Sequence, residues 1–319
     1  MDDKILQMLY AAEWISGESI SQQLGVTRAA VGKHIAALRQ QGYHIDAMPK
    51  RGYHLAAAPQ ELCSYEVLRK LNEPAPWQIE TFDEIDSTNA YLRRRGDELP
   101  DFCVAIARKQ TAGRGRLERA WYSPDSGGLW MSLLLHPTLL PDQAQLLTLT
   151  SAVSVAEAIR GLGIDCYIKW PNDILSADHR KLVGIRCEMR ADMETVYWLV
   201  VGIGVNVNNR DFPAELNQTA ACLSQLNGDR DLDLSTVAAA ILDRIAQNYD
   251  LLCSGRFSVI RDKWTKMALA INEEASISGL QGKETGIVRG LSDDGYLLLE
   301  QNGKINRILA GDMVIDCKG

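Results

Sequence analysis

Residues 110–121 are Gln-Thr-Ala-Gly-Arg-Gly-Arg-Leu-Glu-Arg-Ala-Trp, with glycine and arginine alternating at the centre. Gly113 and Gly115 let the backbone approach a ligand closely. Arg114 and Arg116 carry guanidinium groups, which bind phosphate or carboxylate through paired hydrogen bonds. Apolar, strand-like runs flank the segment, so it is predicted to be a loop between two strands that clamps an anionic small molecule. Taken alone, the segment also fits a flexible, solvated loop.

Three further motifs follow: Lys-Trp-Pro-Asn-Asp-Ile at 169–174, Arg-Lys-Leu-Val-Gly-Ile at 180–185 and Gly-Ile-Gly-Val-Asn-Val-Asn at 202–208. Asp173 places a carboxylate at a strand end, where active-site loops are common. Lys181 begins a strand and offers a compact positive charge to an oxyanion. Gly202 and Gly204, in a β-branched strand, indicate that a ligand or backbone presses against it. Taken separately, Asp173 could cap a turn, Lys181 could be a solvated strand end and the glycines could mark a β-bulge. The order and spacing of the motifs together favour one functional site.

A mixed α/β domain is predicted to position these motifs. Its strands are predicted at 104–107, 129–135, 167–170, 182–189 and 196–207. One long helix is predicted to begin at a capping box over 142–145 and to end at Gly161; the second covers 236–252. Residues 85–92 are predicted to be a loop entering a helix capped by Ser87 or Thr88. Ser87, Thr88 and Asn89 either bind a neutral polar ligand or only cap this helix.

The last fifty residues change character. Short strands are predicted at 275–277, 284–289, 296–300 and 305–309. The segments 292–295 and 301–304 have the composition of hairpin turns. Several short strands at this spacing predict a small β-barrel of the SH3-like kind.

The N-terminal segment has the pattern of a DNA-binding unit. Residues 16–38 predict a short helix, a Gly-Val turn, an N-cap at Thr27 and a second helix. Residues 43–55 alternate around a turn like a two-stranded wing. The pattern resembles a winged helix-turn-helix; a small protein-interaction module is the alternative. The expected buried seam is Ile20, Leu24, Val31, Ile35 and Leu38, and the expected DNA-binding residues are Thr27, Arg28, Ala29, Lys33, Lys50 and Arg51.

Composition sets the class of protein. The 319 residues carry a formal net charge of −7, which argues against wholesale coating of nucleic acid, whereas residues 1–60 alone carry +1. The seven cysteines are dispersed and contain no Cys-x-x-Cys pair, which indicates reduced thiols. The start lacks the pattern of a secretory signal, the apolar runs are too short for a bilayer, and the histidines lack metal-ligand spacing. A soluble, cytoplasmic protein without a membrane partner is expected.

Together these motifs resemble the biotin–protein ligases, and specifically the two-function members that also repress the biotin operon. The Gly-Arg-Gly-Arg loop followed by Trp, Lys-Trp-Pro-Asn-Asp, Arg-Lys-Leu-x-Gly-Ile and Gly-x-Gly-x-Asn all stand in the family's order. The resemblance covers essentially the whole chain. It implies an α+β multidomain protein: a winged helix-turn-helix over 1–60, a linker over 61–76, a mixed α/β ligase domain over 77–269 and an SH3-like β-barrel over 270–319.

The resemblance implies a two-step reaction with ATP and Mg²⁺. Biotin's carboxylate attacks the α-phosphate of ATP to give biotinyl-5′-AMP, and a lysine of biotin carboxyl carrier protein then takes the biotinyl group. Lys181, Arg116 and Asp173 are the implied catalytic residues, with Asp173 orienting or deprotonating the lysine. The implied partners are the carrier protein, operator DNA and, with adenylate as corepressor, a second copy of the chain. The implied binding residues for biotin and adenylate are Ser87, Thr88, Asn89, Gln110, Gly113, Arg114, Gly115, Arg116, Trp121, Lys181, Gly184, Gly204 and Asn206.

The chain departs from the family pattern at two places in particular. Leu117 and Glu118 stand where glycine or basic residues are usual, and Arg186 stands where an aliphatic residue is usual. Glu118 is expected to face the bound adenylate and weaken its retention by charge repulsion, or else to point to solvent or pair with Arg119. Three alternatives remain beside the bifunctional ligase: a ligase whose N-terminal domain does not read DNA, a nucleotide sensor without turnover, and a lipoate ligase.

Overall fold

The computed structural model describes residues 1–59, 61–72, 76–279 and 282–314. Two compact units divide the chain, Met1–Arg69 and Lys70–Gly319. The first unit contains three helices, a β-hairpin and a fourth helix. Their bounds are α1 Asp2–Ala11, α2 Gly17–Leu24, α3 Arg28–Gln40, β1 His44–Met48, β2 Gly52–Ala57 and α4 Ser64–Arg69.

Local capping explains where the helices of the first unit begin and end. The Ser16 hydroxyl accepts the Ser19 N–H at the start of α2, and Thr27 accepts the Ala30 N–H at the start of α3. Gly25 ends α2 with a φ of 65°, a conformation that costs glycine little. The predicted seam is largely confirmed, since Ile20, Val31, Ile35 and Leu38 are buried and Leu24 packs half-buried against them.

Helix α4 belongs to the first unit. The Glu66 side chain is buried and accepts hydrogen bonds from the hydroxyls of Tyr10, at 2.7 Å, and Tyr43, at 3.2 Å. Arg69 pairs with the same carboxylate at 2.9 Å. Burial, with the nearby Glu66, raises the pKa of Tyr10 above its usual range. The unit therefore continues past residue 60, into the segment predicted as a linker; residues 73–75 of that segment lie outside the described residues.

A seven-stranded mixed sheet forms the centre of the second unit. Only β3 and β4 run parallel; every other neighbouring pair is antiparallel. The strand order is β3-β4-β5-β9-β8-β7-β6. The bounds are β3 Gln78–Ile85, β4 Cys103–Gln110, β5 Leu129–Leu135, β6 Tyr167–Lys169, β7 Asp173–Leu175, β8 Lys181–Ala191 and β9 Val196–Val205.

Five helices accompany this sheet: α5 Thr88–Arg94, α6 Ala144–Gly161, α7 Leu223–Leu226, α8 Leu234–Cys253 and α9 Phe257–Met267. Helix α6 ends at Gly161 as predicted, but the capping box predicted over 142–145 is wrong. A short 3₁₀ turn precedes the helix, and the Gln143 side chain accepts the Leu140 N–H at 3.1 Å. The Gln145 amide donates instead to the Asp294 carbonyl at 2.8 Å.

The C-terminal strands form a second, antiparallel sheet in the order β13-β12-β11-β10-β14. Its strands are β10 Glu274–Gly279, β11 Gly282–Leu291, β12 Leu297–Gln301, β13 Lys304–Ile308 and β14 Asp312–Val314. Asn302 and Gly303 both have positive φ, at 50° and 76°, as a two-residue hairpin turn requires. The predicted short strands are confirmed. Residues 280–281 and 315–319 of the predicted barrel lie outside the described residues.

Among the residues described, no helix is both long and apolar enough to cross a membrane. The six cysteines in the described ranges are free thiols, and Cys317 lies outside them.

Candidate functional site

A cavity of about 660 Å³ opens on the seven-stranded sheet, between the loop after β4, the strands β7 to β9 and strand β14 of the C-terminal sheet. The side chains and backbone that line it include most of the predicted site: Ser87, Thr88, Asn89, Gln110, Arg114, Gly115, Arg116, Trp121, Asp173, Lys181, Gly184, Gly204 and Asn206. Sequence motifs that are far apart along the chain therefore meet at one place.

Gly113 is predicted as a binding residue, and the structure gives it a packing role. A Cβ at this position would lie 2.7 Å from Ser123 Oγ and 2.8 Å from the Trp121 carbonyl oxygen. The Gly113 carbonyl accepts the Trp121 N–H at 2.9 Å. Glycine is therefore required here because the two ends of the loop cross at close range.

Lys181 and Asp173 form an ion pair inside the cavity. Lys181 Nζ lies 2.8 Å from Asp173 Oδ1 and 5.2 Å from the centroid of the Trp121 ring. Each residue begins a strand, β8 and β7 respectively, and these strands pair antiparallel. The arrangement places a cation and a carboxylate side by side, about one-third and one-fifth exposed, facing the same space.

Arg116 is held by acceptors from two other parts of the chain. Its guanidinium donates to Asn172 Oδ1 at 2.8 Å and to Asp312 Oδ1 at 3.1 Å. Asp312 also pairs with Arg119 at 3.2 Å. The sequence places Asn172 at the strand end beside Asp173 but gives no sign of Asp312, because residues 116 and 312 come together only through the tertiary fold.

Gly184 and Gly204 lie directly opposite each other on β8 and β9, and the indole of Trp121 covers both. A Cβ at Gly184 would lie 2.7 Å from Trp121 Cζ3, and a Cβ at Gly204 would lie 2.4 Å from Trp121 Nε1. A ligand or backbone segment was predicted to press against Gly204; the structure instead places a side chain of the loop against Gly204, and also against Gly184. The Trp121 Nε1–H is buried and has no acceptor among the described residues, a state that costs about 1–3 kcal/mol.

A chain of polar contacts runs from helix α5 to strand β5. The Thr88 backbone N–H donates to Gln110 Oε1 at 2.9 Å, and the Thr88 and Ser132 hydroxyls lie 2.7 Å apart. The Ser132 hydroxyl donates to Asn89 Oδ1 at 2.6 Å. Gly202 is opposite Ser132, and a Cβ there would lie 2.0 Å from Asn89 Oδ1. Gly202 is therefore a glycine because Asn89 occupies its space.

Ser132 is a residue of this polar cluster that sequence reasoning missed. It is fully buried in β5, whose other members are all apolar and buried. A single hydroxyl in such a strand is the signal that was available, since buried polar groups are nearly always hydrogen-bonded. Ser87, by contrast, is the N-cap of α5 and accepts the Ala90 N–H, as the capping prediction expected.

Asn206 lies at the end of β9 and is buried. Its amide donates to the Lys181 carbonyl at 3.2 Å, and its Oδ1 accepts from the Asn209 amide at 3.0 Å. The contact to Lys181 is to the backbone, so Asn206 supports the start of β8, from which the Lys181 side chain enters the cavity.

The Glu118 carboxylate pairs with arginines other than the predicted Arg119, and its effect on a bound adenylate stays a prediction. Glu118 forms ion pairs with Arg114 and with Arg186, the latter at 2.7 Å. Arg186 first, and then Arg114, lower the pKa of the Glu118 carboxyl. The two departures from the expected motif are therefore partners in one ion pair, because β8 carries Arg186 to the edge of the loop.

The backbone of this loop is strained at the same place. Leu117 and Glu118 have φ values of 53° and 58°, in the left-handed region that non-glycine residues rarely adopt. Such residues cost on the order of 1–3 kcal/mol each and persist where surrounding contacts hold them. The Leu117 side chain is 72% exposed, so its own packing offsets little of this strain.

The predicted DNA-binding residues lie in two segments of the first unit. Arg28, Ala29 and Lys33 are exposed along the start of α3, and the Thr27 hydroxyl caps that helix. Lys50 and Arg51 are exposed in the turn between β1 and β2. The Arg51 guanidinium lies 4.7 Å above the Trp14 ring, a cation–π contact that orients it.

Among the described residues, no cluster of three or more His, Cys, Asp or Glu side chains is arranged to hold a metal ion.

Comparisons with known proteins match this architecture along the chain. Residues 81–206 match the Biotin/lipoate A/B protein ligase family, residues 3–54 an HTH domain, and residues 272–316 the Biotin protein ligase C terminal domain. The chain is 37% identical to the Bifunctional ligase/repressor BirA of Bacillus spizizenii, over 95% of this chain and 94% of that protein. It is 33% identical to the protein of the same name from Escherichia coli K12, over 97% and 95%.

Among solved structures, the fold is similar to a biotin protein ligase from Aquifex aeolicus in complex with biotin and ATP. The TM-score is 0.66 at 33% identity, and the match covers 74% of this chain and 97% of that chain.

Proposed function

The chain belongs to the family of bifunctional biotin–protein ligases and repressors, and from that premise we propose how its residues carry out ligation and repression. The ligase activates biotin with ATP as biotinyl-5′-AMP and transfers the biotinyl group to a lysine of biotin carboxyl carrier protein. One observation supports this assignment most directly: Arg116, Lys181 and Asp173 face a single cavity large enough for a small-molecule substrate.

Adenylate formation brings two anions together, the biotin carboxylate and the α-phosphate. Cationic groups that stabilise the charge developing in the transition state lower its barrier. Arg116 and Lys181 are two cations held by partners on the cavity wall, Asn172 and Asp312 for the first and Asp173 for the second. Lys181 stabilises charge on the oxygen that joins biotin to phosphate. Arg114 contacts the phosphate or carboxylate from the opposite side of the loop.

Transfer requires an uncharged amine, because the ammonium form of the carrier lysine is not a nucleophile. Asp173 is the carboxylate positioned to accept the proton or orient the amine. Its pairing with Lys181 holds the carboxylate in place on the cavity wall while the adenylate is made. The lysine nitrogen then attacks the mixed anhydride carbonyl, AMP leaves with the bonding electrons, and the amide product retains the biotinyl group.

The polar cluster beside α5 suits the ureido ring of biotin. Thr88 and Gln110 supply hydrogen-bonding groups that contact each other, and Ser87 extends the set. The Asn89 amide is ordered by Ser132 and Glu188. The Trp121 indole forms the wall above Gly184 and Gly204, and its free N–H gains an acceptor when a polar ligand binds. Gly113 and Gly115 bring the loop backbone close to the adenylate, and Asn206 lies on the nucleotide side.

Mg²⁺ accompanies ATP in reactions of this class. It prefers oxygen ligands and often binds through one or two carboxylates together with substrate phosphates. The described residues contain no acidic cluster that would hold it independently of a nucleotide. The protein therefore does not fit the role of a metal cage, and Mg²⁺ is assigned to the ATP phosphates.

The first unit is proposed to act as a winged helix-turn-helix. Helix α3 enters the major groove of DNA with its exposed start, which carries Thr27, Arg28, Ala29 and Lys33. The β1–β2 hairpin contacts the DNA backbone through Lys50 and Arg51. Biotinyl-5′-AMP is the corepressor and favours a homodimer, which presents paired helices to an operator. The C-terminal sheet is proposed to be SH3-like.

One experiment tests the ligase assignment. The protein is incubated with ATP, Mg²⁺, labelled biotin and a biotin carboxyl carrier domain, and mass spectrometry locates the label. Label on one carrier lysine, absent without ATP, is expected. Replacing biotin by lipoate tests the alternative acid, and transfer of lipoate in place of biotin would overturn the assignment. Adenylate-dependent binding to operator DNA, measured with the same protein, tests repression.

A further inference from the structure

Arg186 extends from the middle of strand β8 to the Gly113–Trp121 loop. Its Nη1 donates to the Gly115 carbonyl at 2.7 Å, and its Nη2 pairs with Glu118 at 2.7 Å. A third contact, to Glu188 on the same strand, lies at 3.1 Å. The Arg186 side chain is only 17% exposed. One planar guanidinium therefore connects a central strand of the sheet to two points of the loop.

The two points of attachment enclose the strained part of the loop. Gly115 lies before Arg116, and Glu118 is the second of the two consecutive residues with left-handed backbone. Glu118 also pairs with Arg114, so the contacts of Arg186 reach both arginines that are proposed to bind the adenylate. Strained non-glycine residues persist only where the surroundings hold them. Asn172 and Asp312 hold Arg116 from outside the loop, and Arg186 holds the residues on either side, Gly115 and Glu118.

From this geometry we infer that Arg186 is a positioning residue: with Glu118 as its partner, it stabilises the Gly113–Trp121 loop in the conformation of the structure, called closed below. The inference rests on the proposed function of the loop in binding biotin and adenylate. The apparent affinity for substrate falls in proportion to the fraction of molecules whose loop is closed, so contacts that raise this fraction also raise the affinity.

The loop carries its own probe, because Arg114, Arg116 and Arg119 are cleavage sites for trypsin. Ligand-free protein is exposed to limiting trypsin, and cleavage at these three positions is followed by mass spectrometry. Arg186→Leu removes both contacts to the loop, and Glu118→Gln removes the ion pair while keeping the Gly115 contact. Arg190→Leu is the matched control: Arg190 lies on the same strand and is half-exposed, and it pairs with Asp97.

We expect loop cleavage to be about tenfold faster in Arg186→Leu, several-fold faster in Glu118→Gln, and unchanged in Arg190→Leu, because cleavage follows the population of the open loop. Biotin together with ATP should return Arg186→Leu to slow cleavage. Arg186→Lys should restore part of the protection, since a lysine makes one of the two contacts but lacks the fork.

Steady-state kinetics then separate positioning from chemistry. The KM for biotin should rise about tenfold in Arg186→Leu while kcat changes less than about twofold, because the saturated loop is closed in both proteins. Cleavage of Arg186→Leu and Glu118→Gln at the wild-type rate would overturn the inference. Glu118→Gln changes a surface carboxylate and will fold, so a failure of Arg186→Leu to fold leaves this test in place. The proteolysis uses no ligase activity, so it stands even if the proposed function is wrong.

Discussion

Lys181 Nζ lies 2.8 Å from Asp173 Oδ1, so the cation proposed for the first half-reaction and the carboxylate proposed for the second are direct partners. A phosphate oxygen entering the cavity offers Lys181 a second anionic partner beside Asp173. The two half-reactions are therefore expected to respond differently to the loss of each member.

Lys181→Ala should slow adenylate synthesis by about 10²–10³-fold, the range for loss of one transition-state charge contact. Biotin affinity should fall less than about threefold, because the role is charge stabilisation in the transition state. Single-turnover pyrophosphate release and calorimetric titration with biotin measure the two quantities. Equal losses in rate and affinity would assign Lys181 to ground-state binding instead.

Asp173→Asn should affect the transfer step most. Adenylate formation should stay within about tenfold of wild type, whereas transfer to the carrier lysine should fall by about 10²-fold, as loss of a general base predicts. The variant's transfer rate should also increase with pH above 7, because it then depends on the free amine of a lysine whose ordinary pKa is about 10.4. Transfer from purified adenylate across a pH series tests this, and a pH profile identical to wild type would contradict it.

Gly204→Ala should destabilise the fold and impair ligand binding, since its Cβ would lie 2.4 Å from Trp121 Nε1. Overpacking of this kind costs typically about 1–3 kcal/mol. Gly161→Ala is the control, because a Cβ there meets nothing within 4 Å at the end of α6. Urea unfolding gives the free energies. The double variant Gly204→Ala/Trp121→Phe should recover part of the stability, and no recovery would mean that the indole is not the clashing group.

Arg28→Ala and Lys33→Ala should weaken operator binding and leave ligation within about twofold of wild type. A plot of the logarithm of the binding constant against the logarithm of the salt concentration has a negative slope. Each substitution that removes a phosphate contact should make this slope less steep by about one. Lys4→Ala is the control, as an exposed basic residue on α1. Gel-shift titrations at several salt concentrations, beside carrier biotinylation, measure both activities. Loss of ligation in either variant would contradict the proposed division of labour.

The ion pairs that Glu118 forms with Arg186 and Arg114 should weaken as the pH falls. Arg186 and Arg114 lower the pKa of the Glu118 carboxyl below its ordinary value, and the nearby Glu188 shares Arg186. The pKa of this carboxyl is lower in the folded protein than in the unfolded chain. Its contribution to stability is therefore complete at a pH above the unfolded-state pKa, and is lost as the pH falls through the folded-state pKa. Hydrogen exchange of the loop amides, corrected for intrinsic rates, should therefore be constant from pH 5 to 8 and increase below about pH 4. Glu118→Gln should show no such step.

Local sequence signals predicted what is local. Thr27 and Ser87 cap helices, and the glycine–arginine loop joins two strands. The turn at Asn302 and Gly303 lies in the segment whose composition predicts a hairpin turn. Order along the chain and motif spacing also brought most of the cavity lining together correctly. In each case the determining interaction lies within a few residues, or the motif itself carries the information.

Contacts that depend on tertiary position were not predictable in the same way. Asp312 reaches Arg116 only because β14 pairs with β10 beside the cavity. The pair between Glu118 and Arg186 was not predicted, because Arg186 is 68 residues away, on a strand whose register decides which side chains reach the loop. A departure from a motif therefore has to be judged together with the residue that the fold places opposite it.

The contact between Arg116 and Asp312 has a consequence for biosynthesis. Asp312 follows Arg116 by 196 residues, so at about 5–20 residues per second a ribosome adds it roughly 10–40 s later. During that interval Asn172 can already accept from Arg116, whereas its acceptors near the end of the chain, the Gly311 carbonyl and Asp312, are not yet made. The cavity also lacks the wall that β14 forms. The site is therefore complete only when the last strand has been made. A growing or prematurely ended chain has the loop and the seven-stranded sheet, but it lacks the Asp312 carboxylate that holds the Arg116 guanidinium in place.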